Sequence, residues 1–192
     1  MSMLIQREWQ MRFSGNGAVV VAHPDDETLW AGGFIASHPG VTVICCTVPR
    51  RDPERAIRFF DACRVLGAFP VLIPFVEPEP TEDIEHLDML RLDEFDWIVT
   101  HNREGEYGHR HHRNVYEWVE SHTICPLYTF NYGDCQGDGI VTGLDGIIGE
   151  KKIEALKMYD NCAPADGGKP KWQALLDTYH VRTDVEYLNV ER

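Results

Sequence analysis

Gly17-Ala18-Val19-Val20-Val21-Ala22-His23-Pro24-Asp25-Asp26-Glu27 is a run of small and β-branched residues that ends abruptly in a histidine, a proline and three carboxylates. Ala18 to Ala22 show no polar alternation, the pattern of a strand buried on both faces, as in a parallel sheet flanked by helices. The acids therefore stand at that strand's C-terminal end, where open α/β sheets bind ligands. Pro24 fixes its own φ and keeps His23 out of the helical region, so the chain turns there. The dipole of a following helix favours carboxylates in its first turn. That accounts for the acids but not for the histidine before them.

His23 and Asp26 are three residues apart across this turn, a spacing that lets an imidazole and a carboxylate reach one cation. Asp25, between them, must point another way, and a carboxylate beside a metal that does not ligate it is placed to take a proton from water. Catalytic zinc usually takes three protein ligands and leaves one position open, so a third ligand must come from elsewhere. Phe95 to Thr100 reads as a second strand, and it leads into His101 to His112, which hold four of the chain's 9 histidines. Val115, Trp118 and Val119 then mark an amphipathic helix whose start presents His109 and His112 on one face.

Ala22-His23-Pro24-Asp25-Asp26-Glu27 together with Gly105-Glu106-Tyr107-Gly108-His109-x-x-His112 resembles the LmbE-like family, also called the PIG-L deacetylases. The resemblance implies a Rossmann-like α/β domain and a zinc-dependent removal of the acetyl group from N-acetylglucosamine-type sugars or conjugates. By position it implies one zinc held by His23, Asp26 and His112, with Asp25 as base. His109 matches the histidine that stabilises the oxyanion or protonates the leaving amine, and Tyr107 the tyrosine that closes over the acyl group. Arg55, Glu27 and Asn102 are the expected substrate contacts. Two departures stand out: Arg58 occupies a position where the family has Glu, and Arg110-His111 replaces a Pro-Asp or Pro-Gln pair. The second makes His111 a rival ligand to His112, although the Gly-His-x-x-His spacing is kept.

The remaining chain reads as strands alternating with helices, the series of a mostly parallel sheet in a three-layer α/β sandwich. Expected helices run over 28–38, 54–66, 84–92, 151–160 and 172–179; expected strands over 41–48, 68–76 and 126–132. Pro70 and Pro74 suggest an edge position for the strand at 68–76. Glu8 to Phe13 reads as an irregular lead-in or an edge strand, Glu77 to Asp83 as a solvated acidic loop, and Pro164 to Pro170 as a linker. Residues 133–149 hold 6 glycines and 3 aspartates, and read as a turn-rich hairpin or loop. His180 and Glu186 are candidates to line the pocket, since a C-terminal segment often covers such clefts, but they read first as surface residues, which lone histidines and glutamates usually are.

A length of 192 residues fits a single domain over 1–192. Lys and Arg number 18 against 31 acids, a net charge of -13, which would repel a polyanion. Nucleic acid and acidic membranes are therefore poor partners, and the expected partner is a small N-acylated amino sugar or glycoconjugate, with a homo-oligomer left open. No stretch approaches the roughly 20 apolar residues of a membrane span, and a cytoplasmic location with reduced cysteines is expected. Two other classes compete with the deacetylase: a metal-binding regulatory protein without turnover, and a non-haem iron oxygenase built on two histidines and a carboxylate.

Overall fold

A computed structural model describes residues 13–50, 52–76, 85–132, 140–144, 146–160 and 170–191. The lead-in before Phe13, the acidic loop at 77–83, residues 133–139 and most of the linker before Pro170 lie outside these. The chain builds β1 (Gly17–Val21), α1 (Asp26–Ser37), β2 (Thr42–Cys45), α2 (Arg55–Leu66) and β3 (Phe69–Leu72). Then come β4 (Trp97–Thr100), α3 (Arg110–His122), β5 (Leu127–Phe130), β6 (Ile140–Gly143), α4 (Gly146–Met158), α5 (Lys171–Thr178) and β7 (Val185–Val190). All seven strands form one sheet in the order β3-β2-β1-β4-β5-β7-β6. The first five are parallel, while β7 runs antiparallel to both β5 and β6.

β1 is buried throughout, and its side chains serve two cores in alternation. Val19 and Val21 pack with Phe34, Phe59, Leu66 and Leu156 of α1, α2 and α4, whereas Ala18 and Val20 pack with Val115, Trp118 and Val119 of α3. That is the period of two expected when a strand has helices on both faces, and it makes the three layers. β3 does lie at a sheet edge, as Pro70 within it suggests.

Residues 85–92 depart from the helix expected over 84–92. Glu85–Met89 and Leu92–Glu94 are 3₁₀ turns. Leu87 and Leu92 are the buried side chains here, and their separation of five residues does not keep them on one helical face. α4 starts at Gly146, inside the Gly/Asp-rich stretch, and β6 precedes it. Cys45, Cys46, Cys63 and Cys125 are free thiols. Among the described residues no helix is long and apolar enough to cross a membrane.

The order of strands locates the site. The chain leaves β1 toward β2 on one side and returns through β4 on the other, so the sheet's direction of growth reverses between β1 and β4. In open α/β sheets the crevice at that switch point receives ligands. Both histidine-bearing loops start there.

Candidate metal centre

Asp25 stands at the start of α1 with φ 108, a left-handed conformation unusual for a residue with a side chain. Glu27 supports this turn by accepting the Asp25 N–H at 3.0 Å. The same carboxylate accepts the Tyr159 hydroxyl at 2.7 Å and the Thr28 hydroxyl at 2.5 Å. Glu27 is fully buried, and burial raises its pKa to about 7. Expected as a substrate contact, it instead sits beneath the loop and shapes it.

The turn brings Asp26 Oδ2 within 3.3 Å of His23 Nδ1. The same oxygen lies 3.3 Å from Nε2 of His112, two residues into α3. His112 Nε2 is buried and makes no hydrogen bond of good geometry, and neither does the buried Nδ1 of His109. The orphaned Nε2 of His112, beside the Asp26 carboxylate, fits a cation. Ligands at about 2.0–2.1 Å from a tetrahedral zinc are separated by roughly 3.3 Å, which matches both distances. Two overlapping groups have donor atoms within 4.8 Å of one another: His23, His109 and His112, and Asp26, His101 and His112. His112 belongs to both.

His101 is excluded as a ligand by its own hydrogen bonds. Its Nε2 accepts the Ala22 N–H at 2.9 Å and its Nδ1 faces Glu106 Oε2 at 2.9 Å, so both nitrogens are engaged. His111 meets Nε2 of His23 at 3.1 Å, the nitrogen opposite the one facing Asp26, and belongs to neither donor group. Trp30 completes the carboxylate's surroundings by donating from Nε1 to Asp26 Oδ1 at 3.3 Å.

A cavity of about 150 Å³ opens over these residues, lined by His23, Asp25, Asp26, Arg55, Tyr107 and His109 among others. Arg55 pairs with Asp25 Oδ2 and donates to the Pro24 carbonyl at 2.7 Å. Asn102 lies away from the cavity, its amide donating to the Phe130 carbonyl at 3.0 Å and its Oδ1 accepting the Glu106 N–H at 3.0 Å. Of the nine residues expected at the site, seven thus converge, and Glu27 and Asn102 support the loops from behind.

Burial and charge set the protonation here. Burial raises Asp25 to about 6, against the pull of Arg55. Burial also pushes Asp26 and Glu106 upward, but the histidines outweigh it: His112 with His23 and His101 holds Asp26 well below the carboxylate range, and His101 with His112 holds Glu106 at about 2. His112 itself rises to about 10, because Asp26 and Glu106 overcome the downward push of burial, whereas burial and His112 lower His109 to about 3.

Three neighbours were missed from sequence. Tyr179, at the end of α5, stacks on Tyr107 with ring centroids 4.7 Å apart, and Trp30 stands 6.3 Å from Tyr107. A lone aromatic at the end of a short helix carries no local mark of a pocket; only the tertiary fold delivers it. Glu106 was visible inside the quoted motif as an acid between histidines, the one signal that its carboxylate serves them.

Fold and site together define an α/β protein with a cluster of histidines and a carboxylate at the switch point of its sheet that could hold a metal ion. No protein-family model matches the chain. An uncharacterized protein of Acanthamoeba polyphaga mimivirus, L374, is 24% identical over an alignment of 146 residues, with 63% of this chain and 64% of that one covered. The match thus spans somewhat less than two thirds of this curated relative. The N,N'-diacetylchitobiose deacetylase from Pyrococcus horikoshii, solved with an inhibitor, superposes with a TM-score of 0.69 at 15% identity, over 98% of this chain and 88% of its own. The zinc-inhibited form of teicoplanin deacetylase Orf2 gives 0.66 at 14% identity, over 92% and 99%. The fold that the two motifs implied is the fold present.

Proposed function

We propose that this chain is, as a single domain, a zinc-dependent N-deacetylase that hydrolyses the acetamide of an N-acetylglucosamine-type sugar or conjugate. One observation carries the reading: Asp26 Oδ2 lies 3.3 Å from both His23 Nδ1 on its own loop and His112 Nε2 on the loop after β4, and Asp25 borders the same cavity. The solved deacetylases that share the fold, among them one named for N,N'-diacetylchitobiose, supply the substrate class. Two imidazoles and a carboxylate suit zinc. A zinc ion held there would polarise the amide carbonyl and bring the pKa of water to about 7.

Asp25 acts as the base that takes the proton from water and returns it to the leaving nitrogen. Arg55, paired with its Oδ2, keeps the carboxylate oriented. His109 and Tyr107, both on the cavity wall, donate to the carbonyl oxygen as negative charge develops on it. A single such donor contributes roughly 3–4 kcal/mol in other hydrolases. The aromatic wall of Trp30, Tyr107 and Tyr179 gives the ring of a neutral substrate an apolar face to lie against.

An amine-release screen over N-acetylated sugars, thiol-sugar conjugates and glycolipid headgroups tests the reading. Release that a chelator abolishes and zinc restores is expected. Stoichiometric metal with no release from any acetamide would make this a binding protein, and iron with oxygen consumption would make it an oxygenase.

A further inference from the structure

Ala22, the last residue before the first ligand, donates its N–H to His101 Nε2 at 2.9 Å. Because Nε2 accepts, the ring proton of His101 sits on Nδ1 and is donated to Glu106 Oε2 at 2.9 Å. His112 brings its own Nδ1 to the same oxygen, at 2.5 Å. An ionised carboxylate only accepts, so this nitrogen carries a proton as well. The nitrogen of His112 left to face Asp26 is Nε2.

One oxygen atom therefore joins two stacked imidazoles, whose ring centroids are 3.8 Å apart. Glu106 has little freedom to leave this position. Its side chain is wholly buried, its backbone is held at φ 55, and its Oε1 accepts the Asn102 N–H at 2.9 Å. The turn requires Gly105 before it, at φ +70, where a Cβ would come within 2.4 Å of the His109 carbonyl oxygen. Glu106 does not line the cavity, so whatever it contributes passes through the histidines.

We propose that Glu106 is a positioning residue: shared by His101 and His112, it selects the nitrogen of His112 that faces the metal and ties the loop after β1 to the loop after β4. This rests on reading His23, Asp26 and His112 as metal ligands. Carboxylates behind metal-bound histidines fix ring orientation and raise ligand basicity, and losing one typically costs about 10- to 100-fold in metal affinity. Here one carboxylate also holds a second histidine that binds the other ligand loop, so the frame exists before the ion arrives.

Cobalt(II) titration of the metal-stripped protein, followed by d–d absorption and by competition with a chelating dye, is the test. In Glu106→Gln an amide must put either a second donor against the rings or a weaker acceptor there. The expected result is an affinity about 10- to 100-fold lower with an altered cobalt spectrum and a native far-UV circular dichroism spectrum. Wild-type affinity and spectrum in Glu106→Gln overturn the positioning role alone, whereas a wild-type chain that binds no cobalt overturns the metal reading beneath it. Should Glu106→Gln fail to fold, nitrogen-15 histidine spectra of the zinc-loaded wild type decide: a hydrogen-bonded proton on His112 Nδ1 supports the proposal, and its absence or ligation through Nδ1 refutes it.

Discussion

Lys152 Nζ lies 2.6 Å from Glu186 Oε1, and both side chains are out of solvent. The pair sits against a break in α1, where Ala31 leaves helical geometry at φ -137. The break frees backbone groups that must be satisfied inside the protein. Glu186 accepts the N–H of Gly33 at 2.8 Å and of Phe34 at 2.7 Å, while Lys152 donates to the Leu29 carbonyl at 3.0 Å. Expected as a surface residue, Glu186 is instead the clamp that fastens β7 to the helix carrying Asp26. Lys152→Met should therefore leave a buried carboxylate without its counter-charge and cost about 3–5 kcal/mol. Lys152→Met/Glu186→Gln should recover only part of that loss, because the neutral amide is a poorer acceptor for two N–H groups. Urea unfolding of the four proteins of the cycle measures both terms, and a cost below 1 kcal/mol for Lys152→Met would refute the clamp.

The neighbouring glycines are not equivalent. A Cβ on Gly33 would stand 1.9 Å from Leu144 Cδ2, whereas on Gly32 the nearest atom is Lys152 Cγ at 3.0 Å. Leu144 is itself buried, so it has little room to retreat. Gly33→Ala should cost about 1–3 kcal/mol through overpacking, and Gly32→Ala distinctly less, because both gain the same helix propensity of about 1 kcal/mol but the contact at Gly32 is the milder one. Thermal unfolding of the two variants side by side would check the order.

These particulars show what could be read before folding. The buried strand at 17–21, its proline turn and the second histidine loop were legible because strand period and motif spacing are local, and the parallel order followed from alternating elements. Glu27, Asn102 and Glu186 were misread for a common reason. Each is an acid or amide with at least one partner on another element, Tyr159 for Glu27, Phe130 for Asn102 and Lys152 for Glu186, and sequence shows a polar side chain without showing that folding encloses it. The 3₁₀ turns at 85–89 and 92–94 were missed because the stretch has the length and composition of a helix, while the off-period separation of Leu87 and Leu92 matters only once both are known to be buried.

His112 and His111 are separated by their partners. His112 Nε2 stands 3.3 Å from Asp26 Oδ2, while His111 touches the outer nitrogen of His23. His112→Ala should reduce bound zinc well below one equivalent at micromolar metal, and His111→Ala should retain it. Metal analysis after gel filtration distinguishes them, and loss confined to His111→Ala would transfer the third ligand to that residue.

His38, which closes α1, carries a pH prediction. Its Nδ1 hydrogen-bonds the Phe34 carbonyl at 2.8 Å, its ring packs on Phe34, and burial lowers its pKa. A histidine with a lowered folded pKa binds its proton more readily when unfolded, so stability is unaffected above the ordinary value near ~6.5 and falls as pH drops below it. His38→Phe removes that titration. The stability difference between wild type and His38→Phe should therefore shift against the wild type from about pH 7 to about pH 5, and a difference constant across this range would refute the assignment.

Asp25 offers the sharpest separation of binding from turnover. It borders the cavity beside Asp26, its Oδ2 pairs with Arg55, and it belongs to neither donor group. Asparagine preserves its volume and can still accept from Arg55, but it cannot hold the proton of an attacking water. Asp25→Asn should therefore keep its metal while losing about 10²- to 10⁴-fold in kcat, the usual contribution of a general base. KM should change little, since the residue acts on the proton and not on the sugar. Metal content and steady-state amine release measured on one preparation test both halves together: full activity would remove Asp25 from the base role, and loss of metal in parallel with activity would make it a ligand instead.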